Sequence, residues 1–325
     1  MTGTAPPSAA ADAVSAAEAA RFGEALSRLL PTGGQFGLAV SGGPDSLAML
    51  LLAHAAVPGR FEAATVDHGL RPESAAEAAF VARVCASLGV PHATLCIRVP
   101  EGNVQEEARK ARYAALARWA GERGLKALAT AHHADDQAET VLMRLNRGSG
   151  LAGLAGVRAR GTVPGGTLPV VRPLLDWRRR ELVALVARAG IEPVEDPSNS
   201  DARYDRARIR AALAGADWLD PLAMAQSAAH LADAEEAIAW AAGREWHERV
   251  ERAEGLLRYR PGAPRAVILR VVGRIVAEMG GSARGGAVAR LVESLESGEA
   301  GTLGGVAARV ERGAWAFRPE PPRRS

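Results

Sequence analysis

Four times between residues 35 and 146 a short apolar run leads into a polar turn and then into a helical pattern. The runs are QFGLAV, FEAATVD, HATLCIRV and KALATA. Parallel neighbours need a crossover, and a helix supplies it, so this alternation predicts an α/β fold: a doubly wound parallel sheet covered by helices. Ligands in such folds sit beyond the carboxyl ends of the strands. The chemistry is therefore expected in the residues that directly follow each run. Among the helices, Ser74 is expected to cap AAEAAFVARVCASLG, Asn103 to open VQEEARKARYAALARWAGERG and Gly124 to close it. In HHADDQAETVLMRLNRG the apolar Val141, Leu142 and Leu145 recur at helical spacing.

After the first run stand Ser41, Gly42, Gly43, Pro44, Asp45 and Ser46. The amides of a tight glycine turn and the first free amides of the next helix converge on one place and favour an anion. Gly42 and Gly43 present no side chain to a phosphate, and Ser41 and Ser46 add hydroxyls. The plainer alternative is a strand-to-helix turn with a serine cap. A Walker loop would need a lysine followed by serine or threonine. Its absence points away from a kinase or GTPase and towards a loop that grips a pyrophosphate leaving group.

Asp67 and His68 follow the second run, in a DHGLR segment that by itself reads as an Asx-type turn. His132, His133, Asp135, Asp136, Gln137, Glu139 and Thr140 follow the fourth. These allow three readings. His132 and Asp136, four apart, could ligate a transition metal. Asp135 and Asp136 could simply answer the positive end of the helix dipole. Asp45 and Asp136 could instead hold magnesium on a bound triphosphate, and the phosphate loop favours this reading.

SGGPDS resembles the signature loop of the N-type ATP pyrophosphatases. Within that group TVDHGLR, NVQEEARKARYAAL, TAHHADDQAETVLMRLNRGSGLAGLAG, RPLL and EDPSNSDARYDRARIR resemble the tRNA(Ile)-lysidine synthetases, in order from Phe36 to Arg210. The resemblance implies an adenine nucleotide alpha-hydrolase-like sheet and a carbon–nitrogen ligase. ATP, with Mg2+, would adenylate the carbonyl oxygen at carbon 2 of the wobble cytidine of an isoleucine tRNA bearing a CAU anticodon, and free L-lysine would then displace AMP from carbon 2. It implies ATP-binding residues Ser41, Gly42, Gly43, Pro44, Asp45, Ser46, Asp67 and His68. It also implies catalytic residues Asp45, His133, Asp135 and Asp136, with magnesium on Asp45 and Asp136. Which carboxylate or histidine takes the lysine proton stays open. Asn103, Arg109, Arg112, Arg147, Arg203, Arg206, Arg208 and Arg210 are the expected contacts to tRNA or lysine. For the Asn103 to Arg112 stretch a solvated helix face is the alternative, and for Arg203 to Arg210 a plain charge run. Arg178 to Arg180 read as a solvated or phosphate-facing surface.

Composition narrows the alternatives. The chain has 325 residues, 48% of them hydrophobic, enough for two domains. We expect a loose tail over 1–20, a catalytic domain over 21–216 and a mainly helical tRNA-binding domain over 217–325, with a small hairpin in GTLGGVAARVERGAWAFRP. Longer relatives carry a further C-terminal domain, so this is expected to be a short form. Cys85 and Cys96 have no metal-ligand spacing, which argues against the related thiolation enzymes that use paired cysteines. The DHGLR and DARYDRARIR segments point away from NAD or GMP synthesis, and an intact pyrophosphate loop from an inactive RNA-binding module. No run reaches membrane-spanning length and no secretory signal is present, so a cytoplasmic protein with no membrane partner is expected, a homodimer being left open. The net charge of +3 says little about nucleic acid.

Overall fold

The computed structural model describes residues 13–69, 73–97, 104–194, 205–282 and 285–320. Packing divides these into two compact units. The first runs to Ala229 apart from Gly150–Ala152, and the second comprises those three residues and the chain from His230 onward.

The first unit holds α1 (Ala16–Leu29), β1 (Phe36–Ala39), α2 (Pro44–Ala56), β2 (Phe61–Asp67), α3 (Ser74–Ser87), β3 (His92–Cys96), α4 (Val104–Glu122), β4 (Leu128–Ala129) and α5 (Ala134–Asn146). The short helix α6 (Leu151–Leu154), β5 (Arg160–Thr162), β6 (Pro169–Val171), α7 (Arg179–Arg188) and α8 (Asp205–Ala214) follow. The sheet order is β3-β2-β1-β4-β6-β5, parallel except for β5, which returns antiparallel on β6. The doubly wound sheet expected from the alternation is present. From β1 the order runs outward to β2 and β3 on one side and to β4 and β6 on the other, so the ends of β1 and β4 flank the switch point where such sheets bind ligands.

Strand β1 is buried on both faces. Phe36 and Leu38 join a core with Phe22, Leu47, Leu50, Leu51, Trp177, Leu182 and Leu185. Trp119, Leu128, Tyr113, Leu116 and Val170 form a second core. Helix α2 is buried from Ser46 to Ala53, which explains why its sequence is apolar all round rather than striped.

Three local expectations change. Residues 16–20, assigned to a tail, form the first turn and more of α1. Ser15 Oγ accepts from Glu18 N at 3.3 Å and Glu18 accepts from Ser15 N at 2.8 Å, a closed capping box. Arg188 then ties Glu18 at 2.7 Å and the Ala13 carbonyl at 3.1 Å. Ser74 is not a cap but the first residue of α3, and its hydroxyl donates to Asp67. The buried face of α5 is Ala134, Gln137, Ala138, Glu139 and Thr140, while Leu145 is exposed. Gly124, with φ +67°, closes α4 as expected, whereas Asn103 lies outside the described residues.

Helix α9 (Pro221–Arg249) begins at the expected Asp220-Pro221, and the division between the compact units falls inside it. The second unit adds α10 (Arg265–Glu278), α11 (Gly285–Glu296) and five strands: β7 (Val250–Ala253), β8 (Leu256–Tyr259), β9 (Gly301–Leu303), β10 (Val306–Glu311) and β11 (Ala314–Pro319). They form one antiparallel sheet in the order β7-β8-β11-β10-β9. The C-terminal helices are present, and the expected hairpin is the β10–β11 part of a larger sheet. Its core gathers Val272, Ile275, Val292, Val306 and Phe317.

Gly37 fixes how closely α4 lies on β1. A Cβ there would stand 2.6 Å from Trp119 Cζ3 and 2.9 Å from Leu128 Cδ2. Gly37→Ala is expected to cost about 1–3 kcal/mol and to lower the melting temperature by several degrees, with Trp119→Phe in the same chain recovering part of the loss. Thermal unfolding of the single and double variants measures it.

Candidate active site

The turn after β1 owes its shape to two glycines with different duties. Gly42 has φ +90°, and a Cβ there would press Val81 and Val194 at 3.2 Å. A Cβ at Gly43 would meet nothing closer than Ser41 Oγ at 3.8 Å, so the space over it is open. Gly43 is the N-cap of α2, makes no side-chain cap bond, and is followed by Pro44 in the first turn. The next amides are thus left to a ligand. Ser46 is spent on the turn itself: its Oγ accepts from Ser41 N at 3.1 Å and donates to Gly43 O at 3.0 Å. Ser41, exposed and 3.2 Å from Ser46 Oγ, is the hydroxyl that faces outward.

The end of β4 brings the expected histidine and carboxylates to this turn. His133, 2% exposed, caps α5: its Nδ1 accepts from Asp136 N at 3.3 Å, and Asp136 Oδ2 accepts from His133 N at 3.2 Å. Its Nε2 lies 3.5 Å from Asp45 Oδ2 and 3.6 Å from Asp136 Oδ2. Burial alone would lower the pKa of His133, but Asp45, Asp136 and Asp135 outweigh it and raise it. Asp135 is occupied elsewhere, accepting from Arg179 N at 2.7 Å and pairing with Arg178 at 3.3 Å. Burial opposes its ionisation, yet the Arg179 amide and Arg178 guanidinium hold its carboxyl below the usual range.

Asp45 Oδ1 is buried without a hydrogen-bond partner. An orphaned carboxylate oxygen beside a second carboxylate fits a hard divalent cation. Among the described residues no group of three or more His, Cys, Asp or Glu has metal-holding geometry, so a cation here would draw its remaining ligands from phosphate and water. This favours the magnesium reading over the His132–Asp136 transition-metal reading. His132 is engaged with Thr130 Oγ1 at 3.0 Å. Burial, with Arg172, Arg109 and Arg206 adding to it against Asp136, brings its pKa down to about 4.

The loop after β2 is held by Asp67, whose Oδ1 accepts from Ser74 Oγ at 2.6 Å and Gly69 N at 2.9 Å. The Ser74 hydroxyl and the Gly69 amide keep this carboxyl below its ordinary pKa. His68 is half-buried with Nδ1 unpartnered, and burial and then Arg112 lower its pKa, against Asp67. Arg109 and Arg112 both lie over Tyr113, at 5.1 and 5.4 Å from the ring centre. Arg172, at the end of β6, joins them. Its Nη1 donates to Arg158 O at 2.7 Å, and its Nε is buried without a partner. Arg172 was not singled out in the sequence, although the strand-end rule that marks Asp67 and His132 marks it equally.

Helix α8 packs its arginines on a buried carboxylate. Glu139, 1% exposed, receives Arg210 at 2.7 Å and Arg206 at 3.2 Å. Arg210 and Arg206 are thus partly neutralised, while Arg208 is exposed. Arg203 lies outside the described residues. Arg147 is the exposed C-cap of α5, the full length of the helix from His133, so the strand ends do not gather it. Gln137, named at this strand end but given no role from the sequence, is buried beside Asp136. Its amide accepts from Val157 N at 2.6 Å and donates to Val157 O at 2.8 Å, while Arg144 donates to the carbonyls of Gly153 and Gly156 at 2.6 and 3.0 Å. Two side chains of α5 therefore clamp the glycine-rich segment by its backbone.

A switch-point sheet with an uncapped glycine turn is a nucleotide-binding arrangement, and residues 15–216 match the PP-loop domain family. The class is thus that of the PP-loop, ATP-using proteins. A U34-tRNA thiolase from Methanococcus maripaludis shares the fold, with TM-score 0.53 and 16% identity over 66% of this chain and 78% of its own. The tRNA(Ile)-lysidine synthase of Novosphingobium aromaticivorans is 51% identical over 94% of this chain and 95% of its own, and that of Zymomonas mobilis 42% identical over 93% and 94%. The chain belongs to the tRNA(Ile)-lysidine synthase family. No described helix is long and apolar enough to cross a membrane.

Two measurements probe this site. A Cβ at Gly156 would fall 2.5 Å from Gln137 Oε1 on a backbone with φ +61°. Gly156→Ala should therefore destabilise the protein by at least about 1–3 kcal/mol, and Gly156→Ala with Gln137→Ala by less than the sum of the two, as urea unfolding would report. His132 takes a proton in the unfolded chain below about 6.5 but in the folded chain only below about 4. Its folded pKa is depressed, so its contribution is intact above 6.5 and is lost as pH falls towards 4; His132→Asn should flatten that part of the stability–pH curve.

Proposed function

We propose that this chain joins free lysine to carbon 2 of the wobble cytidine of an isoleucine tRNA with a CAU anticodon, using ATP, and so changes its codon from AUG to AUA. The observation that carries the reading is the convergence of Asp45 and Asp136 on His133 beside an uncapped helix N-terminus. In the first step the base oxygen attacks the α-phosphate and the bond to pyrophosphate breaks. The Gly42–Gly43 turn and the free amides of α2 hold the leaving group, with the Ser41 hydroxyl beside them. Asp45 and Asp136 are the residues that would hold Mg2+, which neutralises phosphate charge when bound. In the second step the lysine amine attacks carbon 2, the carbon–oxygen bond to AMP breaks, and the nitrogen gives up a proton.

The acceptor of that proton is narrowed by hydrogen bonding. Asp135 is committed to Arg178 and the Arg179 amide, which leaves Asp136 to orient the ammonium and His133 to take part in its deprotonation. Asp67 shapes the wall of the nucleotide site through Gly69 and Ser74, with His68 next to it. Arg109, Arg112 and Arg172 form a cationic wall suited to an RNA phosphate or base, with Arg208 outside it. The region from 217 onward serves to hold the tRNA body.

The test is incorporation of labelled lysine into an isoleucine tRNA transcript with a CAU anticodon, beside the methionine tRNA with the same anticodon. ATP-dependent labelling of the first alone is expected, and Asp45→Asn should lower it by at least about a hundredfold, the scale of losing one charge-stabilising group in a preorganised site. No labelling, with ATP still cleaved to AMP and pyrophosphate on another acceptor, would sink the lysidine assignment.

A further inference from the structure

The indole of Trp218 is 79% exposed, the most open of the large apolar side chains among the described residues, and Leu222 is 36% exposed. Trp240, also exposed, differs in having the Arg244 guanidinium over its ring at 5.5 Å. Trp218 stands in the turn between α8 and α9, inside the first unit. Leaving an indole in water forfeits one of the larger burial energies a side chain can offer, which makes such a residue a marker for contact with something else.

Its surroundings say what. Two residues on, Asp220 Oδ1 accepts from Leu222 N at 3.0 Å and pairs with Arg178 Nη1 at 3.4 Å. The same guanidinium holds Asp135 through Nη2 at 3.3 Å, and Asp135 lies 3.8 Å from His133. One arginine side chain therefore spans from the turn that bears Trp218 to the reaction corner. Arg179 and Arg180, next along the chain, are exposed. An open aromatic face in a cationic setting suits single-stranded nucleic acid, whose bases stack while its phosphates meet the guanidinium groups. A base that reacts has to leave the stack of its loop, and the base beside it then lacks a partner.

We propose that Trp218 is a stacking platform for a base flanking the cytidine that reacts, with Arg179 and Arg180 facing the adjoining phosphates. The proposal rests on the lysidine reading and adds a residue that positions the RNA. Trp218 touches the neighbour of the reacting base and takes no part in bond making.

Steady-state lysine transfer by the full chain, on the isoleucine tRNA transcript, separates the possibilities. Trp218→Ala should raise the KM for RNA by about five- to tenfold while the KM values for ATP and lysine stay within about twofold, and Trp218→Phe, which keeps a π-face, should retain most of the affinity. Trp218→Leu should behave like the alanine variant. An unchanged KM for RNA in Trp218→Ala, or a leucine variant as good as the parent, would overturn the platform. So would a fall in oligomeric state on sedimentation of Trp218→Ala, which would assign the indole to a second copy of the chain. Absence of lysine transfer by the parent protein would instead remove the reading on which the proposal stands.

Discussion

The first turn of helix α5 depends on one buried imidazole. His133 closes the helix start by accepting the Asp136 amide, and the same ring turns its other nitrogen towards Asp45 at the start of α2. The ends of β1 and β4 are thereby joined by a side chain as well as by the sheet. A residue without an acceptor at that position would leave helix amides unpaired and let the two carboxylates face each other directly. The acidic corner and the helix start are therefore one structure.

Charge is sorted across the strand ends. Carboxylates collect around His133, and guanidinium groups collect around Tyr113, with Arg109 and Arg112 on α4 and Arg172 directly after β6. The neutral His132 lies between them, kept uncharged by burial and by the arginines. Such a separation suits reactants of opposite kind: a cation with an amine on one side, polyanions on the other. It also explains why the +3 net charge carries so little information, since the functional asymmetry is local.

Much of this was legible because topology does the positioning. Once the alternating runs give a parallel sheet, residues that follow the strands must gather, whatever lies between them in sequence; Ser41, Asp67 and His133 were readable on that ground. Gln137 and Glu139 were harder. Helical spacing showed only that Val141, Leu142 and Leu145 recur as in a helix, and the buried face carries polar groups because it meets backbone amides and arginines rather than a hydrocarbon core. Periodicity counts apolar residues and is blind to a polar face that is fully paired. The β7–β8 hairpin escaped for a different reason: each strand is four residues long, and β7 is exposed from Glu251 to Ala253 with no alternation, so the strand signal is thin.

The pairing of Arg206 and Arg210 with Glu139 changes how the arginine-rich segment should be counted. A guanidinium shared with a buried carboxylate is less available to neutralise a phosphate and release that phosphate's counterions, and detaching it would strand the charge of Glu139 in the interior. To an approaching polyanion this helix therefore presents less positive charge than its arginine count suggests. The ionic-strength response of the surface then belongs to arginines outside the pair, and the segment with the most basic sequence need not be the one that salt weakens most.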